Sequence, residues 1–311
     1  MKVRILSDLH LDVNSSHDFK LIGKEKDVFT VLAGDTSGDP QLTIAWAKKN
    51  LKQGLLISGN HLAYNRQHLP IQDLRQQLAD AFPLESDITY LDVLTGCFKK
   101  EVNGVLFIGT TLYTDFKMKS PYANGKQVQE RNMSLSWRYM NDYRWGLLSE
   151  DEHITPADVL KWFEKSFAAV EQAVSENELK PNPLPVVIIT HHAPSRDCIA
   201  ARYNDSETNA SYASELDEFI QAHPSIHAWI YGHIHDAVKA EVIERDDDSK
   251  CLLINNARGY VHHLEDHDFN KNTFLDTDTW TIERKPLSRS QIQKRKKAAD
   301  AYIKAMAPFI F

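Results

Sequence analysis

Apolar positions along this chain come in short blocks that end on chemistry-bearing residues. The first, MKVRIL, stops abruptly at Ser7-Asp8-Leu9-His10. Four more β-prone blocks follow the same plan: Val28 to Ala33, Leu55 to Ser58, Val186 to Thr190 and Ile226 to Tyr231. Short apolar runs bounded by turn residues predict buried strands. Gln41 to Lys52 reads as a helix, and Pro70 to Phe82 as a second one with Ile71, Leu74, Leu78 and Phe82 on one face. Strand, helix and strand in that order make a βαβ rhythm. Ile88 to Val93, Cys97 to Val102 and Val105 to Gly109 read as three short strands and predict an antiparallel or mixed second sheet. A helix from about Ser211 to Gln221 precedes the Ile226 block. Val238 to Ile243 and Leu252 to Asn256 then close the second sheet around an acidic turn, Glu244 to Lys250.

Residues 114–182 interrupt this pattern. They are rich in aromatic and polar side chains, including Tyr122, Trp137, Tyr139, Tyr143, Trp145 and Trp162. Inside them lies a well-signalled helix. Thr155 is placed to cap it, Pro156 suits its first position, and Asp158 sits where an acid favours the first turn. Leu160, Phe163, Phe167, Val170 and Val174 then supply the buried stripe, and the prolines at 181, 183 and 185 end the segment. The expectation is a helical insert packed over the core, which can also act as a cap that shapes substrate choice. Arg144 is its candidate phosphate contact, because a guanidinium fork matches phosphate oxygens.

Composition narrows the class. At 311 residues, 42% hydrophobic and 25% charged, the chain can bury a full core, and one domain over 1–311 carrying the insert is expected. No apolar run approaches the ~20 residues of a membrane-spanning helix. The N-terminus enters a strand with no apolar signal core, so a soluble, cytoplasmic protein is expected. Three widely spaced cysteines, Cys97, Cys198 and Cys251, argue against a disulfide framework and read as packing residues. A net charge of -7 gives no electrostatic reason for binding bulk nucleic acid. The exception is a basic C-terminal segment, 284–311. There Ile292, Ala299, Tyr302, Ile303 and Met306 recur at helical spacing opposite the charges, which predicts a helix docked on the body.

The ends of the five strand blocks carry the chemistry. They present Asp8 and His10, Gly34-Asp35, Gly59-Asn60-His61, His191-His192, and Gly232-His233-Ile234-His235. Positions i and i+2 of an extended backbone point the same way, so Asp8 and His10 can grip one ion from one strand end. In open α/β sheets, sites form outside the carboxyl ends of the strands, so five such ends converge on one place. Nitrogen and oxygen donors without thiolate suit Mn, Fe or Zn.

These blocks, in this order, resemble the signature of the calcineurin-like metallophosphoesterase superfamily, over residues 1 to about 260. The resemblance implies a four-layer αββα sandwich of two mixed sheets flanked by helices, with a two-metal hydrolase site at one edge. It implies that Asp8, His10, Asp35 and His235 hold one ion and Asp35, Asn60, His191 and His233 the other, Asp35 bridging both. It implies hydrolysis of phosphate esters by a hydroxide held between ions roughly 3.5 to 4 Å apart. His61 would then assist the leaving group or the phosphate without ligating. The family usually places an acid after that histidine, whereas Leu62 stands here. Neighbours on a strand face opposite ways, so only one of His191 and His192 is expected to ligate, and the resemblance favours His191. Asn256-Ala257-Arg258-Gly259-Tyr260 resembles a closing segment and is given no catalytic role. The other histidines, at 17, 68, 153, 223, 227, 262, 263 and 267, fit no block and read as surface or structural. A small phosphorylated substrate is the expected partner. Monoesterase, diesterase and protein phosphatase share the core, and a binding scaffold would be expected to have lost ligands. A nuclease is disfavoured by the lack of an aromatic and basic stripe.

Overall fold

The computed structural model describes residues 1–14, 19–64, 69–119, 124–235, 241–261 and 269–284, with isolated positions beyond. Strand β1 (Lys2–Leu6) runs parallel to β2 (Thr30–Ala33), and helix α1 (Pro40–Asn50) returns the chain to β3 (Gly54–Ile57). Asp39 starts that helix by accepting the Gln41 amide at 2.9 Å, with Pro40 in the first position, where its missing N–H costs nothing. Helix α2 (Ile71–Ala81) leads to β4 (Ile88–Tyr90), then β5 (Lys99–Val102) and β6 (Val105–Thr110). The insert holds α3 (Lys126–Tyr139), the short α4 (Asp142–Trp145) and α5 (Pro156–Glu178). After it come β7 (Val186–Thr190), α6 (Asp217–Ala222), β8 (Ile226–Tyr231), β9 (Glu241–Glu244), β10 (Lys250–Asn255), β11 (Thr273–Asp276) and β12 (Thr281–Arg284).

Two six-stranded mixed sheets result, ordered β12-β11-β1-β2-β3-β4 and β5-β6-β7-β8-β10-β9. Alternation along each strand builds the four layers. Val31, Ala33, Leu55 and Ile57 turn inward against Phe107, Val187, Ile189 and Ile230 of the second sheet. Leu32 and Leu56 turn outward onto Trp46, Leu74 and Leu78 of the first helical layer. On the other side Ile108, Ile188 and Trp229 meet Phe163, Val170 and Val174 of α5. Each such Val, Leu, Ile or Phe side chain, fully buried, contributes about 1.5–3 kcal/mol. The insert is thus partly a structural layer. Its capping box is formed: the Asp158 amide donates to Thr155 Oγ1 at 3.3 Å, and the Thr155 amide to Asp158 Oδ2 at 3.0 Å.

Three expectations change. Ile88–Tyr90 belongs to the first sheet, not the second, because it pairs in parallel with β3, and Asp92 then turns the chain away by accepting the Leu94 amide at 2.9 Å. The helix expected from Ser211 shrinks to Asp217–Ala222, since Ala213 is taken into a bridge with Ala193 and the Ser214 amide donates to the Ala193 carbonyl at 3.1 Å. Arg284, counted with the basic C-terminal helix, ends strand β12. Apart from isolated positions, the rest of that segment lies outside the described residues, as do Tyr122, Val238 and the histidines at 17, 68, 262, 263 and 267. None of Cys97, Cys198 and Cys251 is in a disulfide, and the last two are buried in the core of the second sheet. Among the described residues no helix is long and apolar enough to cross a membrane.

Candidate metal centre

Asp8 and His10 do not sit on extended backbone. Both adopt positive φ, 53° and 44°, as do Asp35 at 46° and His233 at 64°. Left-handed conformations cost such residues of order 1–3 kcal/mol each and persist only where surroundings enforce them. Here the loop after β1 is laced to the loop after β2. The Asp8 amide donates to the Gly34 carbonyl at 3.1 Å and the His10 amide to the Asp35 carbonyl at 3.0 Å. The closing segment holds it from the other side, through Arg258 N–H to the Ser7 carbonyl at 2.9 Å and Gly259 N–H to the Asp8 carbonyl at 3.1 Å. The left-handed turns bring Asp8 and His10 together, with His10 Nε2 3.8 Å from Asp8 Oδ1.

The motif glycines answer to the same crowding. Gly34 has φ 90°, and a Cβ there would fall on the His191 imidazole; a Cβ at Gly59 would collide with the Asp35 carboxylate.

Six of the seven expected ligands come within a few ångströms of one another through their donor atoms, and the seventh, His233, packs its ring beside them. His235 Nε2 lies 3.0 Å from Asp8 Oδ1 and 3.1 Å from His10 Nε2. His191 Nδ1–H donates to the Ala33 carbonyl at 3.0 Å, which leaves Nε2 for the site, 3.2 Å from Asp35 Oδ2 and 3.0 Å from Asn60 Oδ1. The His233 ring lies beside it, centroids 5.2 Å apart. Three groups offer donor atoms within 4.8 Å of one another: Asp8, His10 and His235; Asp8, Asp35 and His191; and His10, Asp35 and His61. Neither His233 nor His192 belongs to these groups, and His192 turns away toward Tyr113. The His192 ring packs on Tyr113 and His233, and burial, aided by the nearby His191, pushes its pKa down to about 3.

The electrostatics fit a cation. Burial opposes ionisation of Asp35 and Asp8, yet the facing imidazoles, His191 foremost, outweigh it and hold both carboxyls below the usual range. Against the cost of its own burial, Asp35 and Asp8 raise His191 to about 9. Burial, with neighbouring imidazoles, keeps His10 and His233 neutral, the form that ligates. Among the described residues, His10 Nδ1, His192 Nδ1 and His233 Nε2 are buried with no hydrogen-bond partner. Two buried carboxylates and imidazole nitrogens without acceptors are a donor set that metal ions would satisfy.

The chain also brings in residues that its motifs do not announce. Tyr260 Oη lies 3.0 Å from His61 Nε2, and its ring stacks on His10 at 4.5 Å. Tyr64 stacks on His61 at 4.3 Å. Asp142, at the start of α4, accepts the Asn60 Nδ2–H at 2.7 Å, and burial pushes its carboxyl up against that opposing bond. Leu62, where an acid is usual, is buried in the core. Arg144 misses the site: it is exposed and donates to the Arg138 carbonyl at 3.2 Å. Above the centre opens a cleft of about 490 Å³, bordered by Tyr139 to Asp142 of the insert and by the 199–212 segment, and among the described residues Arg202 is its one Lys or Arg. The other described histidines lie apart, His223 paired with Glu178 and His227 stacked on Trp280.

Two facing mixed sheets thus carry a donor-rich floor at the ends of their strands. The chain belongs to the calcineurin-like phosphoesterase family, whose model matches residues 1–237. It is similar to an uncharacterized protein, L509, of Acanthamoeba polyphaga mimivirus, 26% identical over 310 residues, covering 90% of this chain and 98% of that protein. Among solved structures it shares its fold with a phosphopantetheinyl hydrolase from Mycobacterium tuberculosis (TM-score 0.57, 14% identity, 83% of this chain and 89% of that one). A dimetal phosphatase from Danio rerio aligns at TM-score 0.43 and 12% identity, covering 81% and 86%.

Proposed function

We propose that this chain hydrolyses small phosphate esters, mono- or diesters, by direct attack of water on phosphorus at a two-cation centre, without a covalent enzyme intermediate. The observation that carries this reading is the donor set: carboxylates, an amide oxygen and imidazoles from five strand ends, all oxygen and nitrogen, meeting below one cleft. Asp8, His10, Asp35 and His235 would hold one ion, and Asp35, Asn60, His191 and His233 the other, with Mn, Fe or Zn suited to such donors. Bound there, the ions would supply Lewis acidity toward a phosphoryl oxygen and toward water. His61, held by Tyr260, is within reach of the same floor as a proton donor or phosphate contact. A cleft of about 490 Å³ supports a small substrate. Three cysteines outside any disulfide support a reducing compartment such as the cytoplasm.

Chelator-treated protein should lose activity on p-nitrophenyl phosphate or its bis ester and regain it with Mn²⁺, Fe²⁺ or Zn²⁺. In labelled water the label should enter the phosphate product directly. Trapping a phosphorylated side chain would overturn the reading.

The position of the cleft arginine gives a second expectation. Arg202→Ala should raise KM for a phosphorylated substrate about tenfold, the worth of one charge-assisted hydrogen bond. Arg144→Ala should leave the kinetics unchanged, because that guanidinium lies outside the cleft. Steady-state kinetics of both variants on one substrate panel checks the pair.

A further inference from the structure

The Asn60 side chain has two ends of nearly the same shape and opposite chemistry. Only its oxygen can ligate a cation; its NH₂ can only donate. Nothing in the local turn chooses between them, since Asn60 merely begins the 3₁₀ turn Asn60–Ala63 after β3. The choice is made from the insert. Asp142 Oδ1 accepts Asn60 Nδ2–H at 2.7 Å, while Asn60 Oδ1 faces His191 Nε2 at 3.0 Å on the opposite side. A carboxylate accepts and cannot donate, so the NH₂ must face Asp142 and the oxygen must face the centre.

The insert is held in register for this task. The Leu147 amide, just past α4, donates to the Ala63 carbonyl at 2.9 Å, and the Ile71 amide donates to the Leu148 carbonyl at 3.2 Å. Tyr143, next to Asp142, is buried with Ala63, Ile71, Tyr113 and Val159 in one apolar cluster. Asp142 therefore sits on a fixed support, not on a loop free to withdraw.

We propose that Asp142 is a positioning residue: it fixes the Asn60 amide with its oxygen toward the second cation site, and so makes the inserted helices a working part of the metal centre. The assignment rests on the phosphoesterase reading above. Partners that orient metal ligands are typically worth ~10- to 100-fold in metal affinity.

The test is equilibrium dialysis of metal-free full-length protein against graded Mn²⁺, with bound metal counted by elemental analysis. Wild type should take up two ions per chain. Asp142→Ala should bind the first with unchanged affinity and the second ~10- to 100-fold more weakly. Turnover should recover when Mn²⁺ is raised, a pattern that general loosening of the fold would not produce. If the alanine variant does not fold, as judged by circular dichroism, Asp142→Ser, too short to reach Asn60, takes its place with the same expectation. Wild-type affinity for both ions in a folded variant would overturn the assignment, and so would equal weakening of both. A wild-type chain that takes up no second ion would remove the reading beneath it and the assignment together, a result distinct from the other two.

Discussion

Replacing Asp35 by Asn should strip the protein of both ions and lower turnover by on the order of 10³-fold. Asp35 belongs to two of the three donor groups, with Asp8 and His191 on one side and with His10 and His61 on the other. Its Oδ2 lies 3.2 Å from His191 Nε2, and its Oδ1 accepts the His61 amide at 3.1 Å. Asn keeps the volume and one oxygen but removes the negative charge that both sites share. Metal ions contribute several kcal/mol to transition-state charge stabilisation, and at about 1.4 kcal/mol per factor of ten the loss reaches that size. Elemental analysis of protein purified without chelator should show both ions falling together. Loss of only one would contradict a bridging role for Asp35.

The metal-free protein should respond to the same change. The Asp35 carboxyl is held below its ordinary pKa in the folded chain, so its ionisation stabilises the fold above the unfolded carboxylate pKa of about 3.9, and that stability is lost as pH falls through the lower folded value. Asp35→Asn removes this contribution and leaves the His191 imidazole with less of the negative charge that raises it to about 9. A lower Tm near neutral pH, with a smaller drop in Tm on acidification than wild type shows, is the expected pattern.

How much of this was legible in the sequence depended on how local each signal is. Strand ends that carry ligands can be read because the apolar block and the donor adjoin in the chain, and β7 and β8 match their predicted limits. The Thr155-Pro156-Asp158 start of α5 is local in the same sense. Asp142 and Tyr260 could not be read that way: their contacts to Asn60 and His61 span 82 and 199 positions, and no spacing rule links them. The Arg144 expectation failed through helix geometry. Two residues along a helix turn about 200°, so if Asp142 faces the centre Arg144 faces solvent. Strands β11 and β12 were missed because Phe274, Leu275 and Ile282 are too few to form a pattern, and β11 joins the sheet against β1 from the far end of the chain, with β12 pairing on β11. The extended reading of Asp8-Leu9-His10 assumed φ values that neither residue adopts; left-handed turns bring the two side chains together instead.

Changing His61 to Ala should lower turnover by ~10²- to 10⁴-fold, the usual worth of a positioned acid or base, while both ions stay bound. The imidazole is well placed for such a role. Its ring is held between Tyr64 and His10, its Nε2 lies 3.0 Å from Tyr260 Oη and 3.8 Å from Asp35 Oδ2, and it borders the cleft. If His61 protonates the leaving oxygen, the loss should shrink for esters of good leaving groups such as p-nitrophenol, which depart without a proton. An equal loss for good and poor leaving groups would assign it to phosphate binding instead. Tyr260→Phe sharpens the distinction. It removes the hydroxyl that fixes the ring without removing the ring or its stacking partner, so a proton-transfer role should show a smaller loss with the same leaving-group dependence. His61 also belongs to a donor group with His10 and Asp35, so metal content decides the alternative. Loss of an ion along with activity in His61→Ala would make this histidine a ligand, and the search for a general acid would then move to Tyr260 itself.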